Sequence, residues 1–206
     1  MSSDDRREQL LRAGGELLGR RSYEEVSIDE IARAAGISKG LLYHYFPTKK
    51  DFLLAVLREE TERITALTAP DPALGPLEQI EASLDAFLDY VEHHASGYAT
   101  IFRTRGGGDS DIRAVLEEGR ERRVEAVLEG VAGQLLAGGA ASDSAALRSA
   151  VQGWIFFVEG TLLRWLDQRD LSRDELRELL RSVLIDSLRT AARIDPRLAL
   201  DAAAAA

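Results

Sequence analysis

SIDEIARAAGISKGLLYHYFPTKKDF, residues 27–52, decides the fold. Two short helical patterns flank a tight turn, and an aromatic run with two lysines follows. Ser27 is placed to cap the first helix, and Glu30 three positions later completes a capping box. Ile28, Ile31, Ala32 and Ala35 recur at helical spacing and form one apolar face. Gly36 follows, where a positive φ ends a helix without steric cost. Ile37 turns back into a small core, and Ser38 caps a second helix over 39–46. This is the layout of a helix-turn-helix element whose second helix enters the major groove of DNA.

The second helix carries the candidate base-reading residues. Gly40 near its start costs about 1 kcal/mol of helix stability against Ala. A small residue is useful there if the backbone must approach another surface closely. Tyr43 and His44 are expected to face outward, and Leu42, Tyr45 and Phe46 inward. Pro47 stops the helix, and Thr48 caps the next one, with Asp51 at the box position. Lys49 and Lys50 then fall in the first turn of that third helix, where the macrodipole disfavours a cation. A phosphate partner accounts for them, while a solvated polar turn is the alternative, stronger for Lys50 than for Lys49. The lysines of the whole chain are Lys39, Lys49 and Lys50, all inside this segment.

The segment closely resembles the DNA-binding signature of the TetR family of bacterial transcriptional regulators. The resemblance rests on the Ile-Ala-x-x-Ala-Gly-Ile-Ser-Lys-Gly core, the Leu-Tyr-x-x-Phe run and the Lys after Pro-Thr, and it covers about the first quarter of the chain. It implies double-stranded operator DNA as partner, with Ser27, Ser38, Lys39, Gly40, Leu41, Tyr43, His44 and Lys49 as candidate contacts. Leu41 stands where the family often has Thr or Ser, so its contact would be apolar. Lys50 replaces a residue that is often acidic. The C-terminal part of the family diverges widely, so the resemblance says little about an effector.

Composition sets the frame. The chain has 206 residues, of which 45% are hydrophobic, enough for a core in one or two domains. It has no cysteine, which excludes disulfides and thiolate metal sites. No stretch is apolar for long enough to span a bilayer, and the N-terminus lacks a signal-peptide apolar region. A soluble, cytoplasmic protein without a membrane partner is expected. The net charge of −9 at first opposes DNA binding. The first fifty residues are close to charge-balanced, however, and the acidic excess lies beyond them. Phosphate contact depends on local potential, and an acidic distal domain suppresses non-specific binding.

The rest of the chain reads as helix, which gives an all-α fold class. Residues 6–18 carry Leu10, Leu11, Leu17 and Leu18 on one stripe. Helices are expected over 48–67, 77–94, 97–103, 109–136, 145–166 and 172–192. Proline and glycine mark a linker over 68–76, the triplet Gly106, Gly107, Gly108 a connection, and 137–144 a loop. The expected organisation is a three-helix DNA-binding domain over 1–47, a connecting helix over 48–67, a larger helical ligand-binding and dimerisation domain over 68–194, and a flexible tail over 195–206. The helices at 145–166 and 172–192 are too apolar for one chain to cover, which points to a four-helix bundle across a two-fold axis. Leu180 and Val183 are expected at that interface.

Catalytic chemistry is not legible. The histidines are His44, His93 and His94, and no nucleophile, phosphate-loop or metal-ligand spacing accompanies them. No cofactor is expected. What the resemblance implies instead is a pocket for a small effector in the larger domain, with Phe87, Tyr90, Tyr98, Phe102, Trp154 and Phe157 as candidate lining. Glu159 sits inside an apolar helix and needs a partner. An arginine such as Arg103 or Arg164, or a cationic ligand, would supply one. The expected function is a homodimeric repressor that releases a palindromic operator on binding a small, largely apolar molecule. A DNA-binding regulator without a ligand and a helical enzyme are the alternatives.

Overall fold

The structure is a computed structural model that describes residues 3–21, 23–69, 71, 73–95, 98–99, 109–132 and 143–198. Among the described residues there are eight α-helices and no strand: α1 Ser3–Arg20, α2 Ile28–Ala34, α3 Lys39–Tyr45, α4 Lys49–Leu67, α5 Pro76–His93, α6 Ser110–Ala132, α7 Ala145–Gln168 and α8 Arg173–Ile194. The fold is all-α, with an N-terminal helix-turn-helix and a larger C-terminal helical region. Of the helix expected over 97–103, residues 98–99 are helical and the rest lies outside the described residues, as do Gly106, Gly107 and Gly108.

The chain divides into two compact units. The first comprises 1–63 and 93–119, and the second 64–92 and 120–206. The sequence reading divided the chain after 47 and 67; the division by contacts adds most of α4 and the first half of α6 to the helix-turn-helix. In the first unit α1 buries Leu10, Leu11 and Leu18, α2 buries Ile28, Ile31 and Ala32, and α3 buries Leu42. Phe46 and Phe52 meet edge to face, with ring centroids 5.0 Å apart. Each fully buried Leu or Phe stabilises such a core by about 1.5–3 kcal/mol. Helix α6 joins this core through Ile112, Val115 and Leu116, all buried. Its Gly119 lies against Thr61 of α4 so closely that an added Cβ would be 2.8 Å from the Thr61 Cβ. A larger residue at 119 would force the two helices apart.

In the second unit the main helix pair is α7 with α8. Val151, Trp154, Ile155, Val158, Leu162 and Trp165 are buried on α7, and Leu176, Leu180, Leu184 and Leu188 on α8. The spacings of three and four residues put each set on one stripe. Leu180 is therefore core within its own chain, and its expected place at a dimer interface is corrected; Val183 is half-buried. The α8 start is the capping box of Ser172 and Glu175 that the sequence indicated. Helix α7 ends on Arg169, whose φ of 50° is left-handed. That conformation is costly for a residue with a Cβ. Here the Arg169 guanidinium stacks 3.9 Å from the Trp165 ring centroid, a contact glycine cannot make.

Ion pairs brace α5 to the start of α8. Arg173 reaches Asp85, Asp89 and Glu92, and Arg177 reaches Asp85. Residues 195–198, expected to begin a flexible tail, close in a turn. The Leu198 N–H donates to the Asp195 carbonyl at 3.0 Å, and the Leu198 side chain is buried. An apolar side chain with core within reach stays packed, whereas a polar one would fray.

Candidate nucleic-acid interface

The turn forms as its capping residues dictate. The Ser27 backbone N–H donates to Glu30 Oε2 at 2.8 Å, and the Glu30 N–H donates to Ser27 Oγ at 3.2 Å, which closes the capping box. The Ser27 backbone N–H, then the Arg21 guanidinium and then the Ser27 hydroxyl donate to the Glu30 carboxylate and hold it at about 2, below its ordinary value of 4.5. Gly36 has a φ of 67°, and the Ile37 N–H returns to the Ala32 carbonyl at 2.9 Å. This left-handed closure ends α2 and fixes the angle at which α3 departs. Ser38 caps α3 by accepting from the Leu41 N–H at 3.2 Å. Ser27 and Ser38 thus do structural work at the turn, and both remain exposed beside α3.

Helix α3 buries one side and opens the other. Leu42 and the following Phe46 are in the core. Lys39, Gly40 and His44 are exposed, while Leu41 and Tyr43 keep 38% and 41% of their surface. Exposed apolar surface gathered in one place, rather than scattered singly, marks an interaction site. A Cβ built on Gly40 meets nothing within 4 Å, so an approaching surface encounters bare backbone there. The structure thus brings Lys39, Gly40, Leu41, Tyr43 and His44 together on one short helix. Tyr45 is half-buried rather than fully inward, and its ring meets that of His44 edge to face.

The three lysines have partners within the protein. Lys39 Nζ donates to Asp29 Oδ2 at 3.0 Å, and that bond raises the lysine pKa. Lys49 Nζ donates to the Tyr23 carbonyl at 2.5 Å and lies 4.3 Å from the Tyr23 ring centroid. Lys50 Nζ is 2.8 Å from Asp109 and 2.6 Å from Asp111 at the start of α6; the two bonds raise its pKa. The Lys50 ammonium is thus clamped by two carboxylates, a pairing that neither reading of this lysine included. Sequence reasoning missed Asp29, Tyr23 and Asp109 as partners, because separations of 10, 26 and about sixty residues leave no trace in helical periodicity.

The candidate effector residues divide. Tyr98 groups with the first unit and Phe87, Tyr90, Trp154 and Phe157 with the second; Phe102 lies outside the described residues. Phe87, Tyr90 and Trp154 are buried and Phe157 is half-buried. The Trp154 indole N–H donates to the Leu180 carbonyl at 2.8 Å, so this side chain ties α7 to α8. A shallow depression along α8 is lined, among the described residues, by Asp186, Arg189, Thr190, Ala192 and Arg193 of that helix alone.

Among the described residues, Glu159 is paired with two arginines of α6. Arg123 Nη2 donates to Glu159 Oε1 at 2.8 Å, and Arg120 Nε lies 3.5 Å from Oε2. Arg164 instead pairs with Asp170, and Arg103 lies outside the described residues. Among the described residues, no group of three or more His, Asp or Glu side chains is placed to hold a metal ion. No described helix is long and apolar enough to cross a membrane.

Comparison with known proteins agrees with this geometry. Residues 10–56 match the model for bacterial regulatory proteins of the tetR family, and residues 76–186 match the tetracyclin repressor-like C-terminal domain. A tetR-family transcriptional regulator from Streptomyces coelicolor has a similar solved structure, with a TM-score of 0.77 and 32% identity, covering 95% of this chain and 86% of that one. The HTH-type transcriptional activator FasR of Mycolicibacterium smegmatis is 32% identical over 128 residues, 61% of this chain and 58% of that protein. The HTH-type transcriptional repressor KstR of Rhodococcus jostii is 35% identical over 80 residues, 39% of this chain and 38% of that protein. The chain thus matches little more than half of the first curated relative's length and less than half of the second's.

Proposed function

Because the chain belongs to the TetR family of bacterial regulatory proteins, we propose that it is a homodimeric transcriptional repressor in the cytoplasm, released from a palindromic operator by a small effector. The observation that carries this reading is the open face of α3. Tyr43 and Leu41 stand out from a helix whose other side is core, and Gly40 leaves the backbone accessible between them. That shape fits a helix lying in the major groove, with Lys39, Tyr43 and His44 at base edges and Lys49, Ser27 and Ser38 toward phosphates.

The proposed division of labour keeps DNA reading to residues 1–47 and effector binding and dimerisation to 68–194, joined by the helix beyond Thr48. Helix α4 runs without interruption from residue 49 to 67, and we take it as the element through which the effector acts on the DNA-reading helices. Phe87, Tyr90 and Phe157 are the described aromatics proposed to border the effector, and no cofactor or catalytic step is part of this reading. The effector must bind the DNA-incompetent conformation more tightly than the competent one, since equal affinity shifts nothing.

A second reading concerns the direction of control. The M. smegmatis relative is named an activator and the R. jostii relative a repressor. The same contact to DNA serves both, depending on where the operator lies relative to the promoter. The test is operator binding by the full chain across a salt titration, followed by a reporter fused to that operator. A salt-independent affinity would remove the DNA-binding reading, and reporter output that rises with the protein would replace repression by activation.

A further inference from the structure

Between α6 and α7, two arginines face one buried carboxylate among the described residues. Glu159 is only 3% exposed, and two arginines from adjacent turns of α6 converge on it. The Arg120 and Arg123 side chains each retain 12% exposure. Arg120 Nε lies 3.5 Å from the carboxylate, too far for a good hydrogen bond. It and Arg123 Nη1 are both shielded from solvent with no hydrogen-bond partner among the described residues. Glu121 and Glu125, also on α6, are engaged by Arg148. Among the described residues, both guanidiniums lie against the one carboxylate of Glu159.

A guanidinium cannot escape this by losing a proton. A buried cation with unused N–H groups is costly until a partner arrives. The partner that fits a planar fork of donors is a carboxylate or phosphate. An apolar surface adjoins the pair. The Phe156 ring lies 4.4 Å from the Arg120 guanidinium carbon and is 47% exposed. Gly153 and Gly160, one turn to either side of it on α7, leave open space where a Cβ would stand.

We infer that Arg120 and Arg123 receive the single oxyanion of an amphiphilic ligand, with its apolar body along Phe156 and Glu159 holding the two guanidiniums in place. This rests on the effector reading above and narrows the effector from a largely apolar molecule to an acidic amphiphile.

Calorimetry on the full chain tests the site. The probes are sodium decanoate, decyl phosphate, 1-decanol and decyltrimethylammonium, all below their micelle concentrations. The expected result is that at least one anion binds wild type about tenfold or more tightly than decanol, and the cation binds no better than decanol. Comparing decanoate with decyl phosphate distinguishes a carboxylate from a phosphate head. Arg120→Gln and Arg123→Gln lose the preference. Arg123→Lys retains the charge without the fork and serves if the glutamine variant does not fold. Equal binding of decanol and both anions by wild type overturns the site, as does anion binding unchanged in both arginine variants. Fluorescence anisotropy on a DNA duplex selected by the full chain separates the two levels of inference. Anion binding without DNA release leaves the site standing and removes the effector reading. Release by decanol as readily as by the anions does the reverse.

Discussion

The Lys39 ammonium and the Asp29 carboxylate meet at 3.0 Å across the turn between α2 and α3. The candidate base-reading lysine is thus held by an exposed acid from the preceding helix, and DNA must displace that acid to use it. Asp29→Ala is expected to tighten binding to specific and random duplexes alike, because it frees one cation and removes one anion. Lys39→Ala is expected to relax sequence preference as well as affinity, by about tenfold at the contacted base pair. Competition binding with operator and random DNA checks both. Equal losses on the two DNAs for Lys39→Ala would make it a phosphate contact.

Lys49 and Lys50 are adjacent in sequence but should behave differently. Lys49 donates one N–H to the Tyr23 carbonyl, and an ammonium has three such donors. It therefore keeps donors for a phosphate, and Lys49→Ala should lower the log–log salt slope of DNA binding by about one unit. Lys50 is committed to Asp109 and Asp111. Lys50→Ala should leave the salt slope unchanged and lower the thermal stability of the first unit. A slope change for Lys50 and none for Lys49 would reverse the assignment.

Neighbouring leucines on α8 separate folding from assembly. Leu180 is fully buried in its own chain and Leu179 is 38% exposed. Leu180→Ala should cost about 2–5 kcal/mol of stability, as large-to-small changes in cores do. Leu179→Glu should keep its helical circular dichroism yet sediment as a monomer if α8 pairs with its copy across a two-fold axis. A dimeric Leu179→Glu protein would place the interface elsewhere.

The capping box of α2 has a pH signature. The Glu30 carboxyl is depressed from 4.5 to about 2, first by the Ser27 backbone N–H and then by Arg21. A depressed folded-state value means that its contribution is present above pH 4.5 and is lost as the pH falls toward 2. Carbon chemical shifts should therefore show Glu30 titrating near 2, with Ser27→Ala moving its midpoint upward. A wild-type midpoint at the ordinary value would mean that the box is open in solution.

The sequence by itself determined the local structure of this protein. The capping boxes at Ser27, Thr48 and Ser172, the left-handed Gly36 and the inward Leu42 and Phe46 were all legible. Each depends on residues within four positions of one another, where helix geometry converts spacing directly into contact. The need of Glu159 for a cationic partner was also legible, since a charge within an apolar stripe must be neutralised.

Only the tertiary structure decided which residues meet over long separations. It selected Arg123 and Arg120 for Glu159, Asp29 for Lys39, and the two aspartates at 109 and 111 for Lys50. It also turned Leu180 into its own chain's core while leaving Leu179 exposed. Periodicity identifies an apolar face but not what covers it, and a charge can reach any of several opposite charges equally well until packing sets the distances. In a chain with 26 basic and 35 acidic residues, that choice belongs to the packed helices.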